Sequence, residues 1–147
     1  MKHATTGLIT GIKQSGEPIT MPEITHHGEL RGDLNSKVTL VFDGEQTQPL
    51  TALWDTGSNI TLVDPGIIDR LLVLPLPSSR GEINSITGAV TADIYTADLL
   101  CGDIVLSDVE VWASPVASKG VHIIIGMDVI SKGTLTIAGG SMLTFSA

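Results

Sequence analysis

The stretch "LTALWDTGSNITLV", residues 50–63, decides how this chain is read. An apolar run reaches Trp54 and stops at a carboxylate, Asp55. After Thr56, Gly57 and Ser58 the apolar pattern resumes at Ile60. A carboxylate at the end of a buried strand, followed by Thr-Gly, sits on a tight turn where backbone N–H groups can reach it. Such hydrogen bonds favour the ionised form. Taken alone, the tripeptide is an Asx-type turn that ends a strand; its surroundings decide whether it is more.

Upstream, Val38, Leu40 and Phe42 alternate, and Asp43-Gly44 follows. Asp-Gly between apolar runs is a hairpin signal, so the second strand of that hairpin delivers Asp55 at its end. Downstream, "ITLVDPGIIDRLL" reads as a short strand and then a helix, with Asp64 at the N-cap and Pro65 at the first helical position. Pro75 and Pro77 keep that helix short. Over 81–113 alternation returns. Ile83, Ser85, Thr87-Gly88 and Val90 predict a hairpin with its tip near Thr87–Ala89, and Ile94 to Trp112 supply further strands. "VHIIIG" (121–126) is a continuous apolar run, as expected of a strand buried on both faces. "MDVISKG" gives a short helix with Asp128 near its start and Gly133 beyond its end, and "TLTI" with "MLTF" gives a final hairpin. Residues 1–35 carry short apolar pieces (Leu8, Ile9, Ile12) broken by Gly and Pro. They read as an N-terminal arm or extra strand ahead of a single domain over 36–147. The expected class is mostly β with one or two short helices and no internal repeat.

At 147 residues the chain fits one domain with a proper core. Apolar residues are 42% and charged residues 16%, a globular balance, and at 3% aromatics the core must come from Ile, Leu and Val. A formal net charge of −8 argues against nucleic acid and against an anionic membrane surface. The lone Cys101 allows no intrachain disulfide and reads as a buried structural thiol. "MKHATTGLITGIKQSG" lacks the apolar region of a signal peptide, and no run is long enough to span a bilayer; a soluble, cytoplasmic protein is the default expectation. In such a chain the Arg31-Gly32-Asp33 tripeptide is not read as an adhesion motif. His3, His26 and His27 lack metal-ligand spacing, and no phosphate-binding glycine signature is present, so neither a metal nor a cofactor is expected.

The order of these pieces resembles the retropepsin-like aspartic proteases, the single-domain relatives of retroviral and pepsin-type enzymes, with bacterial members closest in style. Asp-Thr-Gly-Ser at 55–58 and Ile-Ile-Ile-Gly at 123–126 carry the resemblance, which covers about residues 37–147. It implies a closed β-barrel of the acid-protease type with a flap hairpin. It also implies roles. Asp55 is the catalytic aspartate. Thr56 hydrogen-bonds to its symmetry mate. Gly57 lets the turn form and offers backbone to Asp55 and substrate, and Ser58 could donate to the Asp55 carboxylate, which would favour an acidic optimum. Gly126 closes the loop beneath the site, with Asp128 beside it, and Ile86, Thr87, Gly88, Ala89 and Val90 form the flap tip over bound peptide.

The mechanism the resemblance implies needs two aspartates, one ionised to take a proton from water and one protonated to hydrogen-bond the scissile carbonyl. The chain holds no second Asp-Thr-Gly or Asp-Ser-Gly, so the expectation is a two-fold homodimer in which each copy gives one Asp55. "TLTI" and "MLTF" are the candidate dimer strands. Retroviral members often pair an Arg after the second glycine with an Asp two residues beyond Asp-Thr-Gly. Here Met127 and Asn59 stand at those positions together, so an ion pair is replaced, not half broken, and Asn59 inherits the question of holding substrate backbone. Ile60, Ile86, Val90, His122 and Ile124 would line substrate pockets, implying a preference for apolar side chains around the cut; for His122 a hydrogen-bonded structural role is the favoured alternative. Trp54 reads as core. Two other functions fit the same resemblance: a domain that binds peptides or partners without turnover, and a protease that processes itself as a regulator.

Overall fold

In a computed structural model the backbone is described for residues 9–12, 18–20, 23–27, 35–138 and 142–147. Arg31–Asp33, His3 and Leu8 lie outside the described residues. The alternation that begins the domain becomes strand β4, Asn35–Phe42, after three short strands β1 (Ile9–Ile12), β2 (Pro18–Thr20) and β3 (Glu23–His27). Val38, Leu40 and Phe42 are buried, as period-2 patterning requires. Asp43 and Gly44 then turn the chain with φ of 48° and 85°. Both are positive, the signature of the tight turn that matches strand twist.

The second arm of this hairpin is broken in two, where the sequence suggested one strand. β5 (Glu45–Gln46) pairs with Val41 and Phe42. Residues 47–49 leave the ladder, because Pro49 has no N–H to give. Thr47 bridges the gap: its N–H donates to Leu40 O at 2.9 Å, and its Oγ1 accepts from Leu40 N at 3.1 Å. β6 (Leu50–Trp54) then rejoins β4, with Val38 opposite Leu50 and Asn35 opposite Leu53.

The remaining elements are β7 (Leu62–Val63), α1 (Pro65–Asp69), β8 (Ser79–Ser85), β9 (Gly88–Cys101), β10 (Ile104–Ala113), β11 (Ile123–Ile125), α2 (Met127–Ile130), β12 (Thr134–Ala138) and β13 (Met142–Ser146). Strands β4, β6, β11, β7, β10 and β9 follow one another in the sheet, and β9 returns to β4, closing a six-strand barrel. The fold is thus the mostly β, closed-barrel architecture anticipated, with two short helices. β8 and β9 extend from it as a hairpin whose last pair is Ser85 with Gly88. Its tip is Ile86–Thr87, one residue earlier than the sequence suggested.

Inside the barrel lie Leu40, Leu50, Trp54, Leu99, Val111, Ile123 and Ile125, each contributing about 1.5–3 kcal/mol by leaving water. β12, β13 and β3 form a separate three-stranded sheet with β13 central. Phe145 joins it to the barrel by stacking on Trp54 at 4.9 Å between ring centroids. Trp54 also donates from Nε1 to Ser36 Oγ at 2.7 Å; it is a core residue. Cys101 is buried, and burial pushes its thiol up to about 12.

Candidate active site

One topological detail builds the site. β7 follows β6 in sequence but does not pair with it. β11 lies between them, parallel to β6 and antiparallel to β7. Residues 55–61 must therefore cross over the end of β11, directly above Gly126. The crossing is tight. An added Cβ on Gly126 would overlap the Ile60 carbonyl oxygen, and would stand 2.7 Å from Ile60 C and 2.9 Å from Ser58 O. Only glycine lets the two backbones approach this closely.

The crossing loop is fastened at four points. Asp55 N donates to Ile125 O at 2.9 Å, Ser58 N to Asp55 O at 3.2 Å, and Met127 N to Ser58 O at 2.7 Å. Thr61, fully buried at 0% exposure, supplies the fourth. Its Oγ1 accepts from Gly126 N at 3.2 Å and donates to Asp128 Oδ1 at 2.8 Å. Asp128 Oδ1 also accepts from Val129 N at 2.9 Å in the first turn of α2. Thr61 was not singled out from the sequence. The available signal was a hydroxyl two residues before Val63, at an inward position of an apolar pattern.

Asp55 itself is half-buried. Gly57 N donates to its Oδ1 at 2.9 Å, while its other oxygen makes no hydrogen bond among the described residues. Thr56 is exposed, and its hydroxyl likewise has no partner among them. Ser58 is placed differently from expectation: its hydroxyl donates to Ile60 O at 2.7 Å. A hydroxyl has one proton to give, so Ser58 braces the loop instead of the Asp55 carboxylate. Asn59 is exposed and Ile60 half-buried on the same loop.

Strand alternation identifies the face that Asp55 shares. Leu50, Ala52 and Trp54 point into the barrel, so Leu53 and then Asp55 point out. Ile124 pairs with Leu53 and forms a small apolar cluster with Val116 and Val121, against which Leu53 and Leu62 pack. This apolar ground adjoins Asp55. His122 lies on the same face but four residues down the strand, about 13 Å from the level of Asp55. Its Nδ1 accepts from Thr51 N at 2.9 Å, and its own N–H donates to Thr51 O at 2.9 Å. The structure thus puts His122 in the lateral wiring of β6 and not beside the carboxylate. The hairpin residues Ile86, Ala89 and Val90 are exposed, Ile86 fully.

Asp64 does more than cap α1. Its Oδ2 accepts from Gly66 N at 3.1 Å, and its Oδ1 accepts from Val116 N at 3.0 Å and Ala117 N at 3.1 Å. Burial pushes its carboxyl up, but the three N–H donors and nearby His122 outweigh it, and the pKa falls below the ordinary value. Among the described residues no three His, Cys, Asp or Glu side chains converge as a metal site, and no helix is long and apolar enough to cross a membrane.

Comparison with known proteins agrees with this geometry. Residues 38–129 match the family described as aspartyl protease. The chain belongs to the aspartyl protease family. Among solved structures it is similar to a retropepsin-like aspartic protease from Rickettsia conorii, at 12% identity and a TM-score of 0.57, over 86% of this chain and 94% of that one. It also aligns with the simian foamy virus (mac) protease at 22% identity and a TM-score of 0.46, over 65% of this chain and 92% of that one. No curated protein matches the chain. The first structural likeness shows the retropepsin-like fold, and the family match shows an aspartic protease domain.

Proposed function

We propose that this protein is an aspartic endopeptidase that works as a homodimer, each copy contributing one Asp55 to a shared dyad. The observation that carries the reading is the state of Asp55. One oxygen is fixed by Gly57 N–H, the other has no partner among the described residues, and the loop beneath is fastened to β11 and α2. A carboxylate so held is oriented without being used up. The chain has one such motif, and a second carboxylate is supplied by symmetry. Thr56, exposed beside it, is the group available to bind its mate across the axis.

Two carboxylates this close share one proton and titrate as a unit. The ionised member removes a proton from water as the water attacks the peptide carbonyl. The protonated member donates to the carbonyl oxygen as negative charge develops, and a proton then passes to the leaving nitrogen. The dyad needs its single proton, so activity belongs on the acid side of neutrality. Ser58 makes no contribution to that preference, because its proton goes to Ile60 O.

Leu53, Ile124 and Ile60 supply apolar subsites beside Asp55, Asn59 offers its amide to substrate backbone, and the β8–β9 hairpin, Ile86 to Val90, folds over the peptide as a flap. Gly126 and Asp128 hold the floor. The catalytic domain is taken as 36–147, with 1–35 an arm that contributes β3. Purified parent and Asp55→Asn proteins incubated with an unstructured apolar peptide test the reading. Cleavage by the parent and none by the variant is expected; equal turnover, or a parent that stays monomeric in sedimentation while cleaving, overturns it.

A further inference from the structure

Trp112 connects the loop that carries Asp55 to the hairpin proposed as the flap. The sheet register places it. Leu53 is opposite Ile124, Ile124 opposite Leu62, Leu62 opposite Trp112, and Trp112 opposite Ile94. Residues paired across strands share a face, so these form one row on the outer side of the barrel, the side Asp55 faces. Trp112 N donates to Thr61 O at 2.9 Å, which ties it to the end of the crossing loop. Its ring reaches the other way, to β8. A Cβ added to Gly81 would stand 2.5 Å from both Cη2 and Cζ3 of Trp112, and 3.2 Å from Ile94 Cδ1. The ring occupies the place of the side chain that Gly81 lacks.

Exposure along β8 agrees. Gly81 and Ile83 are half-buried, whereas Arg80, Glu82 and Asn84 are exposed, so the hairpin turns its Gly81 face toward the ring. Gly81 pairs with buried Ala92. Beyond that pair Val90 is exposed and Ile86 fully so. The contact therefore lies at the root of the hairpin, and the tip at Ile86 is about 17 Å further along the strand. On the opposite face of the root Arg80 Nε pairs with Asp93 Oδ1 at 2.9 Å, an exposed ion pair that contributes little. A cleft of about 240 Å³ lies on that side, lined by Ile68 and Asp69 of α1 and by Arg80, Asp93 and Tyr95. The hairpin has room to tilt toward α1, and the ring stops it on the side of Asp55.

We propose that Trp112 is a positioning residue for the flap. Its ring, seated on Gly81, sets how closely the β8–β9 hairpin comes down over Asp55, and its backbone bond to Thr61 references that height to the loop holding the carboxylate. The proposal rests on the flap and Asp55 roles given above. Carbon atoms in contact rest about 3.5–4.0 Å apart, so an alanine at position 81 forces ring and strand to part by about 1 Å. Leverage along the hairpin enlarges that shift at the tip.

Phenylalanine keeps the near part of the Trp112 ring and lacks Cη2 and Cζ3, so Trp112→Phe vacates the place that Gly81→Ala fills. Each change, and the two together, are made in an Asp55→Asn chain, and binding of a fluorescein-labelled, unstructured apolar peptide is read by anisotropy. Because a displaced flap no longer pre-orders the site, Gly81→Ala is expected to raise Kd about tenfold and Trp112→Phe about threefold. The double variant is expected to bind more tightly than Gly81→Ala alone, within about threefold of the Asp55→Asn chain. With Asp55 intact, the same order is expected in KM for cleavage, with kcat changed less than about threefold. A contact that only holds the fold together would lower the urea midpoint and leave Kd alone. Equal Kd in all four chains, or a double variant that binds no more tightly than Gly81→Ala, overturns the proposal. If Gly81→Ala does not fold by itself, Trp112→Phe decides, and an unchanged Kd overturns it. Equal affinities in a protein whose parent cleaves the peptide leave the endopeptidase reading standing. A parent that binds the peptide and never cleaves it overturns that reading and not this one. A peptide neither bound nor cleaved overturns both.

Discussion

Thr61→Val replaces a buried hydroxyl by a methyl of nearly the same shape, so it tests the loop fastening without opening a cavity. The hydroxyl serves Gly126 N and Asp128 Oδ1 at 3.2 and 2.8 Å. Gly126 is buried, and its N–H has no other acceptor among the described residues. Leaving one buried group unsatisfied costs about 1–3 kcal/mol. Asp128 is half-buried and keeps Val129 N, so its loss is at the low end. The sum is about 2–4 kcal/mol, or a melting temperature lower by roughly 4–16 °C for a domain of this size. Thr61→Ser keeps both hydrogen bonds and removes one methyl, costing about 1 kcal/mol. Because Thr61 ties down the loop that carries Asp55, the valine variant also lowers kcat. A shift of about 1 Å in a catalytic group can cost on the order of a hundredfold, and at least a tenfold fall with little change in KM is expected. Urea unfolding gives the stability, and peptide kinetics well below the melting temperature give the split. Equal stability of the valine and serine variants, together with unchanged kcat, would refute the reasoning.

Two other perturbations follow from the same geometry. Gly126→Ala drives a Cβ into backbone at Ser58 and Ile60 that is itself hydrogen-bonded; it should destabilise by about 1–3 kcal/mol and abolish cleavage, and a variant that melts and cleaves like the parent would contradict the crossing described. Asp64 has a lowered pKa in the fold, so its contribution is present above the unfolded value of about 3.9 and is lost as pH falls through the folded one. The stability gap between parent and Asp64→Asn, measured by urea unfolding across pH, should be widest near neutrality and shrink below about pH 4; a gap that widens on acidification would be the wrong sign.

What was legible in the sequence was what short-range rules control. The Asp43-Gly44 turn, the Asp64-Pro65 helix start and the buried "III" strand each depend on residues within a few positions, and each formed; the β8–β9 hairpin formed too, with its tip at Ile86–Thr87 just ahead of Gly88. What was hidden depends on partners far away in the chain. Ser58 could be aimed at Asp55 on paper because nothing local reveals that Ile60 O turns back within reach. Thr61 looked like one more strand residue until β11, sixty residues later, slid between β6 and β7 and gave its hydroxyl two partners. His122 was expected at a substrate pocket with a structural role as the alternative, and a backbone N–H seventy-one positions away fixes its ring. Asp64 was legible as a cap, and its second grip on Val116 and Ala117 was not. The break at Pro49 was missed because the proline's effect on the ladder appears only once the pairing partner is known.

The shared dyad is tested most directly by mixing. Parent and Asp55→Asn chains are unfolded together, refolded in varied proportions and assayed on one peptide at a fixed total concentration. If each active site needs an Asp55 from both copies, activity falls as the square of the parent fraction, to about one quarter at equal parts. A linear fall, to about one half at equal parts, would mean that each chain works alone and would contradict the account.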